Sequence, residues 1–339
     1  MIKVIEVVTT IPTKRFKRFG VSFPPEWEVS YLEYPIPDEI LINACQGADF
    51  LLVSSTHAVS KKVIENTPSL RLLHVDGVGY DMANVETAKE VGLPVCNNHS
   101  SNSTSAAEHT IAFMLTGLKR LCLVDKQLKT RDYQEVEREY LAKGVRELSS
   151  QHVGLIGLGA IGQEVARLLQ PFGCKISYYD MFRQPPELEL KLKVLYVSLE
   201  ELLQECDIIS LHVPALPDTR DLINQKNISL MKPDALLINT SRGEIIDQLA
   251  LAEALEEGRI NGAAVDTIVP EPPGENHPLF TLSEKASNRI IITPHVAGKS
   301  DEAFKRMLNW AIANMKRVVN GEKPVNIVNE IEEARPANN

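Results

Sequence analysis

Hydrophobic positions along the chain fall into short runs separated by amphipathic stretches. Apolar runs at 2–8, 50–53 and 70–75 are of strand length, and segments 38–45 and 61–66 between them have helix-like spacing. This alternation predicts βαβ units over the first hundred residues. Residues 102–120, NSTSAAEHTIAFMLTGLKR, open with polar capping candidates and then place Ala107, Ile111, Met114, Leu115 and Leu118 on one face. A long amphipathic helix is expected there. A second rhythm begins at His152: strand VGLIG, helix IGQEVARLLQPF, strand KISYYD, a helix near 199–205, then strands DIISLHV, ALLINT, GAAVD and IIITPH. Parallel strands joined by helices make a doubly wound sheet, so the fold class is α/β. A helix is expected over 302–319, and the polar tail IEEARPANN is expected to fray.

Length and charge narrow the picture. At about 150 residues per domain, 339 residues suggest two domains, each able to bury a core. The net charge of −9 disfavours nucleic acid and anionic membrane as partners, and a small anionic substrate would need a local positive site. No apolar run approaches a bilayer span and the start shows no secretory pattern, so a cytoplasmic protein is expected. The five cysteines are scattered without C-x-x-C spacing, and the histidines show no ligand spacing, so neither disulfides nor a metal site is expected.

Gly157-Leu158-Gly159-Ala160-Ile161-Gly162 follows an apolar strand and opens a helix. In that setting the glycines permit a tight turn, close approach of a pyrophosphate to backbone N–H groups, and close helix–strand packing. Asp180 ends the next strand, 18 residues after Gly162, where a carboxylate accepts from the adenosine ribose hydroxyls and repels a 2′-phosphate. NAD is therefore expected over NADP, with Arg183 as the one complication: it is close enough in sequence to meet a 2′-phosphate if its loop folds back.

Three later segments, NTSRG at 239–243, VDTIVPEPP at 265–273 and TPHVAG at 293–298, each follow an apolar strand. Arg242, Asp266 and His295 would then fall near the carboxyl ends of strands, where open α/β sheets hold ligands. Reducing a 2-oxo acid needs a cation for the carboxylate and a proton donor for the carbonyl oxygen; a carboxylate beside the donor imidazole favours its charged form. Arg242, His295 and Glu271 fit those roles.

Taken in order, GVGYD at 77–81, AAEH at 106–109, GLGAIG, LHVPALPDTR at 211–220, NTSRG, VDTIVPEPP and TPHVAG give a sequence that resembles the D-isomer-specific 2-hydroxyacid dehydrogenase family over nearly its whole length. The resemblance implies two Rossmann-like or flavodoxin-like domains with a cleft between them: a discontinuous substrate domain of 1–100 plus 297–339, and an NAD domain of 101–296. It implies an Arg242, Glu271, His295 triad, with substrate contacts from Arg242, His295 and the backbone near Val78 and Gly79. Cofactor contacts would come from Gly157, Gly159, Ala160, Ile161, Gly162, Asp180, Val213, Pro214, Thr219, Thr240, Ser241, Arg242 and Asp266. A homodimer acting on a small 2-oxo or 2-hydroxy acid is implied as well, with the long helix from Asn102 as hinge and dimer contact. Ser54 stands where phosphoglycerate-type members usually carry Arg, which argues against a phosphorylated substrate. An NAD-sensing corepressor of the same fold and a formate- or phosphite-type dehydrogenase remain as alternatives.

Overall fold

The computed structural model describes residues 1–8 and 19–331. The chain divides into two compact units, Met1–Asn102 with Lys299–Asn339, and Ser103–Gly298. These junctions lie two residues beyond those expected from the resemblance.

The first unit is built on a parallel sheet of β1 (Lys3–Val8), β2 (Glu28–Glu33), β3 (Phe50–Ser54), β4 (Leu72–Asp76) and β5 (Val95–Asn97), in the order β2-β1-β3-β4-β5. That is the flavodoxin-like arrangement. β3 and β4 are buried almost throughout because both faces are covered. On one face lie the helices Asp38–Ala44 and Lys61–Glu65, and the other receives Leu308, Ala311, Ile312 and Met315 of the helix Asp301–Val319. The Ser300 hydroxyl caps that last helix by accepting from the Ala303 N–H at 3.1 Å. The expected fraying tail lies outside the described residues from 332 onward.

The second unit holds β6 (His152–Ile156), β7 (Lys175–Tyr179), β8 (Leu195–Tyr196), β9 (Ile208–Leu211), β10 (Leu236–Asn239), β11 (Gly262–Val265) and β12 (Ile290–Ile292). Every pairing is parallel and the order is β12-β11-β10-β9-β6-β7-β8, a Rossmann sheet that reverses between β6 and β9. The expected long helix runs Ser103–Lys119 and buries Ala107, Ile111, Met114 and Leu118. Gly117 lets it lie close to the sheet, since a Cβ there would stand 2.7 Å from the Leu236 side chain.

Candidate active site and dinucleotide cradle

The register of the second sheet lines up the last residues of six strands. Tyr179 pairs with Ile156, Ile156 with Leu211, Leu211 with Asn239, Asn239 with Val265, and Val265 with Ile292. Each strand therefore releases its chain at the same edge. Gly157, Asp180, His212, Thr240, Asp266 and Thr293 form the first row beyond it, with neighbours about 5 Å apart.

At the reversal point the glycine turn fits a dinucleotide. Gly157 has φ +97°, and a Cβ there would meet the His212 carbonyl oxygen at 2.6 Å; at Gly162 a Cβ would meet the Gly157 oxygen at 2.2 Å. Those two glycines are required by the turn itself. Around Gly159 a Cβ would meet nothing within 4 Å, an open cradle at the mouth of the helix Ala160–Leu169. No side chain caps that helix, so the first-turn N–H groups, which have no intrahelical acceptors, are available to a pyrophosphate. The Asp180 carboxylate accepts the Leu158 N–H at 2.7 Å, which sets it against the turn. Arg183 does not fold back: its guanidinium holds Glu189 through Nε at 2.9 Å and an η nitrogen at 2.8 Å.

Other expected cofactor residues shape loops at the same edge. Val213 and Pro214 follow β9, and the Thr219 hydroxyl donates to the Pro214 carbonyl while accepting the Leu216 N–H. Thr240 shares a hydrogen bond with Thr110 at 2.9 Å, and the Ser241 hydroxyl donates to Asn239 Oδ1 at 2.9 Å. With their protons engaged within the protein, these hydroxyls are left as acceptors.

Asn239 was not foreseen. Fully buried, it accepts the Ser241 N–H and donates to the Arg242 carbonyl at 2.8 Å, fixing the turn that presents Arg242. Gly243 permits the turn to touch the next loop, because a Cβ there would stand 2.3 Å from the Ile268 carbonyl carbon. The Arg242 turn and the Asp266–Glu271 loop are thereby adjacent. Arg242 is half-buried, with an η nitrogen donating to the Ser241 carbonyl at 2.9 Å.

His295 and Glu271 meet directly. His295 Nδ1 lies 2.9 and 3.1 Å from the two Glu271 carboxylate oxygens. With Nδ1 engaged, Nε2 is the nitrogen that remains to exchange a proton with a ligand. His295 has φ +52°, an uncommon conformation for a residue with a Cβ. Asp266 lies beneath it, with a side chain almost wholly excluded from solvent. Its carboxylate accepts the Thr293 hydroxyl and the N–H groups of Val296 and Ala297. His109 completes this cluster, 3.2 Å from the Thr293 hydroxyl and 4.0 Å from Asp266. Burial holds the His109 imidazole below its ordinary range against the pull of Asp266, so this contact is not an ion pair near neutral pH. Sequence alone gave His109 no role beyond its place in the AAEH motif.

Val78 and Gly79 lie in the first unit, on the loop after β4. Gly77 packs so tightly on Ser55 that a Cβ would stand 2.6 Å away, and its carbonyl accepts the Asn98 N–H at 2.9 Å. Asn97 donates to the Val78 carbonyl. Among the described residues, no acceptor takes the N–H groups of Val78 and Gly79.

Known proteins resemble this chain in sequence and in fold. Residues 111–297 match the family model "D-isomer specific 2-hydroxyacid dehydrogenase, NAD binding domain". The chain is 34% identical to the glyoxylate reductase of Thermococcus litoralis over 299 residues, 87% of each protein. It is 37% identical over 292 residues, 86% of this chain and 53% of the other, to the D-3-phosphoglycerate dehydrogenase of Methanocaldococcus jannaschii. Among solved structures, the TT0316 protein of Thermus thermophilus superposes with a TM-score of 0.82 at 29% identity, covering 96% of this chain and 99% of that one. From the in-register strand ends, the open glycine cradle and these similarities together, the chain belongs to the D-isomer-specific 2-hydroxyacid dehydrogenase family and is an NAD-dependent oxidoreductase acting on CH–OH donors.

Proposed function

We propose that this protein reduces a small, unphosphorylated 2-oxo acid to its D-2-hydroxy acid and catalyses the reverse reaction. The observation that carries the reading is the Glu271–His295 contact through Nδ1, which leaves Nε2 for the proton. In reduction, the His295 imidazolium gives its Nε2 proton to the carbonyl oxygen as that oxygen gains charge; in oxidation, neutral Nε2 takes the hydroxyl proton. Glu271 stabilises the imidazolium and fixes the ring. Arg242 binds the substrate carboxylate. NAD, when bound, supplies or accepts the hydride, held by the Gly157–Gly162 turn, Ala160, Ile161, Asp180, and the loops of Val213, Pro214, Thr219, Thr240 and Ser241. Asp266 acts at the nicotinamide end by shaping the His295 turn.

The T. litoralis relative is named for glyoxylate, which makes the smallest 2-oxo acids the first candidates. The Ser54 hydroxyl is spent on Thr56 at 3.1 Å and offers no charge to a phosphate, in keeping with an unphosphorylated substrate. We also place the protein in the cytoplasm, consistent with five unpaired cysteines. A homodimer is supported by exposed Leu121, Leu128, Tyr133 and Leu141 on the helices Leu121–Leu128 and Tyr133–Lys143, which bury only Val136.

Chiral analysis of the product tests the reading. With NADH, purified protein should convert pyruvate or hydroxypyruvate to the D enantiomer alone. An L or racemic product would refute the stereochemical assignment.

A further inference from the structure

Asp180 explains why a 2′-phosphate is repelled, but it leaves an arginine three residues along the same loop. Such an arginine is the residue type that accommodates the 2′-phosphate of NADP. In this chain it is committed elsewhere. The Arg183 guanidinium makes a two-pronged contact with Glu189 on the helix Pro186–Leu192, at 2.9 and 2.8 Å, and lies over the Tyr196 ring, 5.6 Å from its centre.

The acceptor is itself held. Tyr178, fully buried on β7, donates its hydroxyl to the same Glu189 oxygen at 2.6 Å and accepts the Gln184 N–H at 2.9 Å. The Tyr196 hydroxyl reaches the Asp180 carbonyl at 3.4 Å. One carboxylate, nearly enclosed, thus ties the cation, its loop and the sheet together, while the Arg183 side chain remains 60% exposed. The two-pronged contact, with a buried phenol on the same carboxylate, fixes where the guanidinium sits.

We propose that Glu189 is a coenzyme-specificity residue: it acts as a latch that neutralises Arg183 and holds it away from the adenosine ribose, so that NADPH finds no cation to offset Asp180. The latch uses the arginine edge that would otherwise clamp a phosphate. Glu189 touches no coenzyme in this arrangement. It sets specificity through Arg183.

The inference rests on the NAD assignment and not on the identity of the 2-oxo acid, so it is tested by binding. Dissociation constants for NADH and NADPH would be measured from nicotinamide fluorescence for the wild type, Glu189→Gln, and Arg183→Gln with Glu189→Gln. In E189Q the amide oxygen still accepts from Tyr178 but the charge is gone. NADPH should bind about tenfold tighter than to the wild type, with NADH unchanged, because a released guanidinium can meet the phosphate. The double variant should return to wild-type NADPH affinity. Unchanged NADPH affinity in E189Q, or a gain that survives the loss of Arg183, overturns the proposal. If E189Q does not fold, Tyr178→Phe loosens the same carboxylate more gently and should shift NADPH in the same direction; no shift is then the overturning result. Failure of the wild type to bind NADH would count against the cofactor reading itself, an outcome distinct from these.

Discussion

Asp266 and His295 are joined through the backbone and not through their side chains. The His295 N–H donates to the Asp266 carbonyl at 2.7 Å, and the Asp266 carboxylate takes the next two N–H groups, of Val296 and Ala297, at 2.9 and 2.8 Å. This is what sustains a histidine at φ +52°. A left-handed turn at a residue with a Cβ costs on the order of 1 kcal/mol and persists only where the surroundings impose it.

Asp266→Asn should release that turn. An amide can satisfy only one of its two sites as an acceptor and turns its NH2 toward a backbone donor. We expect turnover to fall by about tenfold or more while NADH affinity changes less, with a loss of roughly 2 kcal/mol in stability from a buried donor left unpaired. Steady-state kinetics and thermal unfolding of one preparation check both. Wild-type turnover would show that the turn does not depend on the carboxylate.

The second and third glycines of the cofactor turn should respond differently to the same substitution. Gly162→Ala places a methyl 2.2 Å from the Gly157 oxygen and should lower the melting temperature of the unit. Gly159→Ala projects into open space, so it should fold normally and weaken NADH binding by about tenfold or more, because the methyl occupies the pyrophosphate cradle. Fluorescence titration with NADH, beside a melting curve, separates the two effects.

Arg242→Lys should not be conservative. A point charge replaces a planar fork, and we expect KM for the 2-oxo acid to rise by roughly tenfold or more, and further in Arg242→Gln. Equal KM values in all three proteins would remove Arg242 from carboxylate binding.

Much of this was legible in sequence because buried parallel strands are short apolar runs and their loops carry the chemistry. The runs IISL, LLIN and GAAV became β9, β10 and β11 almost unchanged. β2 escaped notice because it is an edge strand with only partial burial. The helices Leu121–Leu128 and Tyr133–Lys143 escaped as well, since a helix that buries at most one residue leaves little apolar periodicity to read. Residue types announced His295 and Glu271. The supporting roles of Asn239, Thr293 and His109 depend on which loops meet, and sequence spacing does not encode that.

Two buried histidines should make each unit acid-sensitive. Burial pushes both His74, in the first unit, and His212, in the second, down to about 3 from an ordinary 6.5. Each is neutral when folded and takes up a proton when unfolded, so the stability it permits is complete above about 6.5 and is lost as pH falls from there toward about 3. The slope is roughly 1.4 kcal/mol per pH unit for each. Denaturant unfolding at several pH values between 6 and 4 should show a shallower slope in His74→Gln and in His212→Gln for the unit concerned. Parallel slopes would mean the imidazoles charge without unfolding.

The central claim is that His295 moves the proton, and one experiment addresses it most directly: NADH consumption with glyoxylate, hydroxypyruvate and pyruvate by wild type and His295→Asn, beside NADH affinity for both. The account predicts turnover by the wild type with at least one of these acids, a loss of about 100-fold or more in His295→Asn, and similar NADH affinity in the two proteins. Turnover that survives the substitution would contradict it.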